Sequence, residues 1–207
     1  MLQKERRKIV HFPVFKRTFA KMLAIHPKRW YDKSGEKYTK VEEKRSSNMT
    51  NMEICYDVKN IAKYIIAYCN KNEKSITNLV LQKILYYVQG YFIKRYGMLA
   101  YEAEIVKWPY GPVVPEAYFN LCSYRNLPIQ FDSEDYDECL DLITNPKHKT
   151  LINKIIERCI NVSVTNIVNK THAETPWADA RMKQVIGIDK IDDYFSENDP
   201  WKICGEK

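Results

Sequence analysis

No stretch of this sequence is apolar for long enough to span a bilayer, which takes about 18 residues or more. The best run, Ile84 to Ile93, is shorter and is interrupted by Gln89 and Gly90. A secretory pattern is missing from the amino end: Ile9 to Phe15 is weakly apolar, contains His11 and Pro13, and stops at Lys16-Arg17. Cysteine is present but unpatterned. The six residues at 55, 69, 122, 139, 159 and 204 form no CxxC pair and have no histidine cluster beside them. That argues against a zinc site and against a disulfide framework, and for reduced thiols partly in a core. GxxxxGK[ST], GxGxxG, HExxH and GxSxG are all lacking, so no phosphate loop, zinc protease or nucleophile elbow is written here. Nor is there an internal repeat of about 20 to 50 residues, or a low-complexity linker within 53–200.

What is present is a chain of 207 residues, 45% hydrophobic, long enough for one domain with a substantial core. Its net charge of +7 suggests nucleic acid or an acidic membrane surface until it is located along the chain. Residues 1–48 hold 14 Lys+Arg against 5 Asp+Glu, a net of +9; the other 19 basic and 21 acidic residues net −2. The basic segment carries isolated aromatics (Phe12, Phe15, Phe19, Trp30, Tyr31, Tyr38) and no sustained period. It reads in three ways: an arm that binds nucleic acid or a membrane, an organelle-targeting peptide, or an over-extended reading frame. The third is favoured. Lys44-Arg45-Ser46 can be encoded by a purine run resembling a bacterial ribosome-binding sequence, a few bases before Met49. The expected organisation is a basic extension over 1–48, a domain over 49–200 and a tail over 201–207. Nucleic-acid binding is not expected of 49–207.

From Glu53 onward the pattern is helical. Asp57 can cap a helix running to about Asn70 with Ile61, Tyr64, Ile65 and Tyr68 on one face. Ser75 or Thr77 caps a longer one that ends at Gly97. Its apolar positions Leu81, Ile84, Leu85, Val88, Tyr91 and Phe92 make a stripe broad enough for a central helix. Gly90 inside it predicts a close helix crossing. Glu102 to Trp108 alternates like a strand, with Leu127 to Phe131 as its expected partner. Further helices are expected over 112–125, 133–143, 147–160, 163–170, 176–185 and 188–197. The fold class is therefore mainly α: one compact multi-helix domain with at most a short two-stranded β element around 102–108 and 127–131.

Two irregular segments stand out. In Trp108-Pro109-Tyr110-Gly111-Pro112-Val113-Val114-Pro115, the prolines and glycine fix a corner. Helix is disfavoured before Pro109, and Pro112 and Pro115 suit a first turn, so a helix should start between 112 and 115 and bury Tyr118, Leu121 and Cys122. Trp108 and Tyr110, outside regular structure, are candidates both for scaffold and for a partner interface. In Thr171-His172-Ala173-Glu174-Thr175-Pro176-Trp177, His172 and Glu174 are the only pair resembling an acid/base couple. The competing and preferred reading is punctuation: Thr171-x-x-Glu174 as a capping box, Thr175-Pro176 as N-cap and N1, and Trp177 packed on the core. Glu134, Asp137 and Glu138 share one helical face, which reads as a solvated acidic first turn or a face for a basic partner rather than a metal site. No cofactor is expected.

Four blocks then occur in order: Asp57-Val58 with Ile61-Ala62-Lys63-Tyr64-Ile65-Ile66; Leu79-x-Leu81-Gln82-Lys83-Ile84-Leu85-Tyr86-Tyr87-x-Gln89-Gly90; Trp108-x-Tyr110-Gly111-Pro112-Val113-Val114-Pro115-x-x-Tyr118; and Thr171-His172-x-Glu174-x-Pro176-Trp177. This set resembles the Panacea domain, also called the SocA-like antitoxin domain, and prophage-associated GepA-type proteins, over about residues 53–197. The resemblance implies a non-enzymatic antitoxin of a bacterial type II toxin–antitoxin pair. Such a protein is cytoplasmic, independent of membranes, and neutralises a co-encoded toxin by direct binding; one relative instead delivers its toxin to a protease. It also singles out Gln82, Lys83, Tyr86, Trp108, Tyr110, Gly111, Pro112, Val113, His172, Glu174, Pro176 and Trp177 as motif residues, structural or partner-binding. Beside it stand two other classes: a nucleic-acid protein of a mobile element using the basic arm, and a hydrolase using His172 and Glu174.

Overall fold

Helix α1, Val58–Lys71, begins where the Asp57 carboxylate accepts the Lys59 N–H at 2.6 Å. The structure is a computed structural model that describes residues 52–204. The basic extension over 1–48, the start at Met49, the nucleic-acid reading attached to that segment, and residues 205–207 lie outside the described residues. After α1 the chain turns through Glu73, at φ 56°, and Thr77 caps α2, Asn78–Tyr96. Gly97 ends that helix in the left-handed region, φ 64°, its N–H bonded to the Ile93 carbonyl.

Helix α2 is the axis of the domain. Every residue from Leu81 to Ile93 is buried, so the helix is enclosed on all sides rather than along a stripe. A fully buried Leu, Ile, Val or Phe contributes about 1.5–3 kcal/mol, which makes this helix the main source of apolar stabilisation. Gly90 is the predicted close crossing: a Cβ there would lie 2.3–2.4 Å from the Phe195 ring carbons. Gln89 serves the backbone, its amide donating to the Tyr101 carbonyl and its oxygen accepting the Tyr101 N–H, both at 3.2 Å.

Next come β1, Val106–Trp108, and β2, Gly111–Val113, an antiparallel hairpin joined by Pro109-Tyr110 with Val106 opposite Val113. The expected pairing of 102–108 with 127–131 is not formed. A two-residue turn brings β2 alongside β1 at far less loop-closure entropy than a partner twenty residues on. The other edge of β1 is taken by 183–186, through Lys107 N–H to the Gln184 carbonyl at 2.9 Å and Lys183 N–H to the Lys107 carbonyl at 2.8 Å. Residues 127–131 run instead beside the turn before α2: Ile129 N–H bonds the Ile76 carbonyl at 2.8 Å, and the Asn70 side chain bonds Ile129 and Phe131.

Six more α-helices follow among the described residues: α3 Pro115–Asn120, α4 Tyr136–Asp141, α5 Pro146–Ile160, α6 Val164–His172, α7 Thr175–Ala178 and α8 Ile188–Glu197. The described residues are mainly α with one short two-stranded sheet. Helix α3 starts at Pro115 as its prolines require, but it is shorter than 112–125 and gives way to a 3-10 turn at Cys122–Tyr124. Ala117 is its fully buried residue; Tyr118, Leu121 and Cys122 are only half-buried. The helix expected over 176–185 is one turn long, because 183–186 is drawn out as the neighbour of β1. Helices α5 and α6 open on Asn145 and Ser163, whose side chains cap them, and α5, α6 and α8 all pack on α2.

Candidate functional site

The motif residues converge where α2, the hairpin and the α6–α7 turn meet. Lys83 points out of the middle of α2 and is 1% exposed; its Nζ donates to the Pro112 carbonyl at 3.0 Å. Burial pushes its pKa down from 10.5 to about 7. Gly111 lies directly over it. A Cβ at that position would stand 2.6 Å from Lys83 Cε, 2.7 Å from Nζ and 2.8 Å from Thr171 Oγ1, and its φ of +107° suits glycine alone. One residue earlier Gln82 is also buried. Its oxygen accepts the Val114 N–H and its amide donates to Asn78 Oδ1, both at 2.9 Å. Val113, opposite Val106, closes the apolar side of the hairpin.

The other motif does not cap as expected. Thr171 lies in the last turn of α6, where its hydroxyl donates to the Val168 carbonyl at 2.9 Å, so it cannot open a helix. Glu174, not Thr175, is the N-cap residue of α7, by backbone alone, which places Pro176 in the first turn, buried. The Glu174 side chain turns inward, 2% exposed, and accepts the Tyr87 hydroxyl at 2.8 Å. The Tyr86 hydroxyl lies beside the same carboxyl without forming a hydrogen bond of normal geometry, and Oε2 has no partner. Burial raises the Glu174 pKa to about 7, opposed by Tyr87, Tyr86 and Lys170. The capping box fails because a tyrosine brought in by α2 captures the carboxyl that would otherwise serve the local backbone.

His172 stacks flat on Trp177, ring centroids 3.8 Å apart at 9°, and its Nε2 has no partner. Burial, then Lys83 and Lys107, lower its pKa. No hydrogen bond joins His172 to Glu174, so the acid/base couple is not formed. Trp177 donates through Nε1 to the Trp108 carbonyl at 3.2 Å. Lys107 lies 4.0 Å over its ring while bonding the Ala178 and Ala180 carbonyls. Sequence reasoning missed Lys107 and Tyr87: a strand lysine and one tyrosine of a pair carry no local signal of their tertiary partners.

Eleven of the twelve motif residues therefore tie α2, the hairpin and the α6–α7 turn together. Tyr110 stands apart at the hairpin tip, 69% exposed. Below it the half-buried Trp108 ring meets Tyr118 and Phe119 edge to face, at 4.9 and 6.0 Å. Two surface cavities, of about 420 and 360 Å³, are lined by other residues. Among the described residues there is no group of three or more His, Cys, Asp or Glu placed to hold a metal, and no helix long and apolar enough to cross a membrane.

A helical domain knotted internally by buried polar ties, with aromatics displayed on a pinned hairpin, is built as a rigid scaffold. Residues 81–178, a span holding all twelve motif positions, match the family described as Antitoxin SocA-like, Panacea domain. The chain is also 27% identical over 128 residues to Antitoxin SocA of Caulobacter vibrioides (strain NA1000 / CB15N), covering 58% of this chain and 68% of that protein. No solved structure matches significantly. What these matches show is a stretch similar to the SocA-like, Panacea domain over residues 81–178.

Proposed function

We propose that this protein is the antitoxin of a type II toxin–antitoxin pair, acting in the bacterial cytoplasm by binding a co-encoded toxin protein directly rather than by turnover. That similarity supports the class of role. The observation that carries the contact surface is the aromatic shelf of Trp108 and Tyr110, on a hairpin held from both sides, with Tyr118 and Phe119 of α3 beside them. Tyr and Trp dominate binding energy at protein interfaces, and a pinned loop loses little conformational entropy when a partner covers it. Buried Glu174, bonded to Tyr87 and not to the half-buried His172, supports binding over catalysis.

The test is expression of the neighbouring reading frame alone and together with this chain. Toxicity relieved by co-expression is the expected result; a neighbour that is harmless alone, or toxicity that persists, overturns the proposal. Tyr110→Ala should leave stability within about 0.5 kcal/mol, as for an exposed side chain, and weaken partner binding by about 2 kcal/mol, roughly 30-fold. Undiminished binding by a Tyr110→Ala, Phe119→Asp double variant would remove the hairpin from the interface.

A further inference from the structure

The 360 Å³ cavity is formed where the end of α5, the end of α6 and the tail after α8 meet. Arg158, Lys170 and Lys202 line it, one from each segment, with Val162, Pro200 and Trp201 as its apolar wall. None of the three cations has a carboxylate partner within ion-pair distance among the described residues. Lys170 lies 4.7 Å over the Trp201 ring, and the Arg158 and Lys202 side chains make no hydrogen bond or ring contact. The one acid on the rim, Glu157, is already engaged by Lys74 and the Tyr68 hydroxyl. Cations in the last turns of α5 and α6 suit the helix dipoles. That accounts for Arg158 and Lys170 on their own helices, but not for the convergence of the two helix ends with Lys202 of the tail on one cavity.

The tail is held in place to present its part. The Asp199 carboxylate accepts the Tyr91 hydroxyl at 2.6 Å and the N–H groups of Ile203 and Cys204 at 2.9 and 2.8 Å. The Tyr91 hydroxyl in turn accepts the Trp201 N–H at 2.9 Å, and Lys202 sits at φ 52°. Trp201 packs its edge on Tyr87, and its own buried indole N–H has no acceptor.

We propose that this cavity binds a ligand carrying clustered phosphates, of the nucleoside triphosphate class. Three converging cations over-neutralise a single carboxylate but match an oligophosphate. The wall of Val162, Pro200 and Trp201 offers apolar surface beside them, as a nucleoside requires. The site is independent of the antitoxin reading and of the hairpin surface.

The test uses the full chain labelled with 5-fluorotryptophan, with the Trp201 resonance among the four tryptophans assigned by Trp201→Phe. Sodium tripolyphosphate, ATP and a hexaglutamate peptide are titrated at constant ionic strength. This readout separates the cavity from the basic residues 1–48, whose tryptophan is Trp30. Tripolyphosphate and ATP should shift the Trp201 signal saturably, with affinity falling about 10-fold for each of Arg158→Gln and Lys202→Gln, the loss of one charge-assisted contact. Both positions are exposed, so the variants fold. Tighter ATP than tripolyphosphate assigns a nucleotide; equal affinities assign the phosphates alone and remove the nucleoside class. No Trp201 shift at millimolar ligand, affinity unchanged in both variants, or hexaglutamate binding as tightly as tripolyphosphate would overturn the proposal.

Discussion

Replacing Lys83 with methionine should stabilise this protein at neutral pH, by an amount that shrinks as the pH rises. The lysine's folded pKa of about 7 lies below its ordinary value of 10.5. A group depressed in this way contributes stability that is present above 10.5 and lost as the pH falls through 7, because the unfolded chain takes up a proton that the folded one resists. At about 1.36 kcal/mol per unit, holding Lys83 in the core costs roughly 4 kcal/mol at pH 7 and roughly 2 kcal/mol at pH 9. Methionine matches the length of the side chain without the ammonium, but leaves the Pro112 carbonyl without its donor at about 1–3 kcal/mol. The net expectation at pH 7 is a gain of roughly 1–3 kcal/mol. The sharper quantity is the change in that gain, a fall of about 2 kcal/mol between pH 7 and pH 9. Urea denaturation of both proteins at pH 7, 8 and 9 measures it, in a window below the titration of the buried tyrosines and of Cys69 and Cys159, whose pKa values burial raises. A difference that stays constant across that range would refute a buried, depressed Lys83.

Glu174 titrates with the opposite sign. Its pKa, raised to about 7, gives stability that is full below about 4.5 and is lost as the pH rises through 7. Glu174→Gln should therefore flatten the stability profile between pH 4.5 and 7 by about 3 kcal/mol, and an unchanged profile would show the carboxyl to be solvated. Gly111→Ala should destabilise by about 3 kcal/mol or more, from a disfavoured φ and contacts under 3 Å with Lys83 and Thr171. Gly97→Ala, at φ 64° but in open space, should lose only about 1 kcal/mol. Equal losses at the two sites, by thermal or urea melts, would mean that close approach contributes nothing at Gly111.

The features legible in the sequence are those decided within one turn of the chain. Asp57 and Thr77 cap their helices because their acceptors lie two or three residues from the N–H they serve. Gly97 and Pro115 mark boundaries through their own φ preferences. Gly90 announced a crossing, since only a missing side chain admits another helix that close, although it could not say that Phe195 would fill the space. Tertiary structure alone decided the rest. Residues 127–131 lost β1 to a strand two residues away. The stretch 176–185, helical by its residues, keeps one helical turn at its start, and its end is drawn out along the other edge of β1. Lys83 reads as an ordinary helix lysine until α1, α3, α5, α6, α8 and β2 close around α2. Glu174 reads as a cap until Tyr87, 87 residues earlier, reaches its carboxyl. A local hydrogen bond depends on spacing alone, whereas a buried charge depends on which distant groups the packing brings within 3 Å of it.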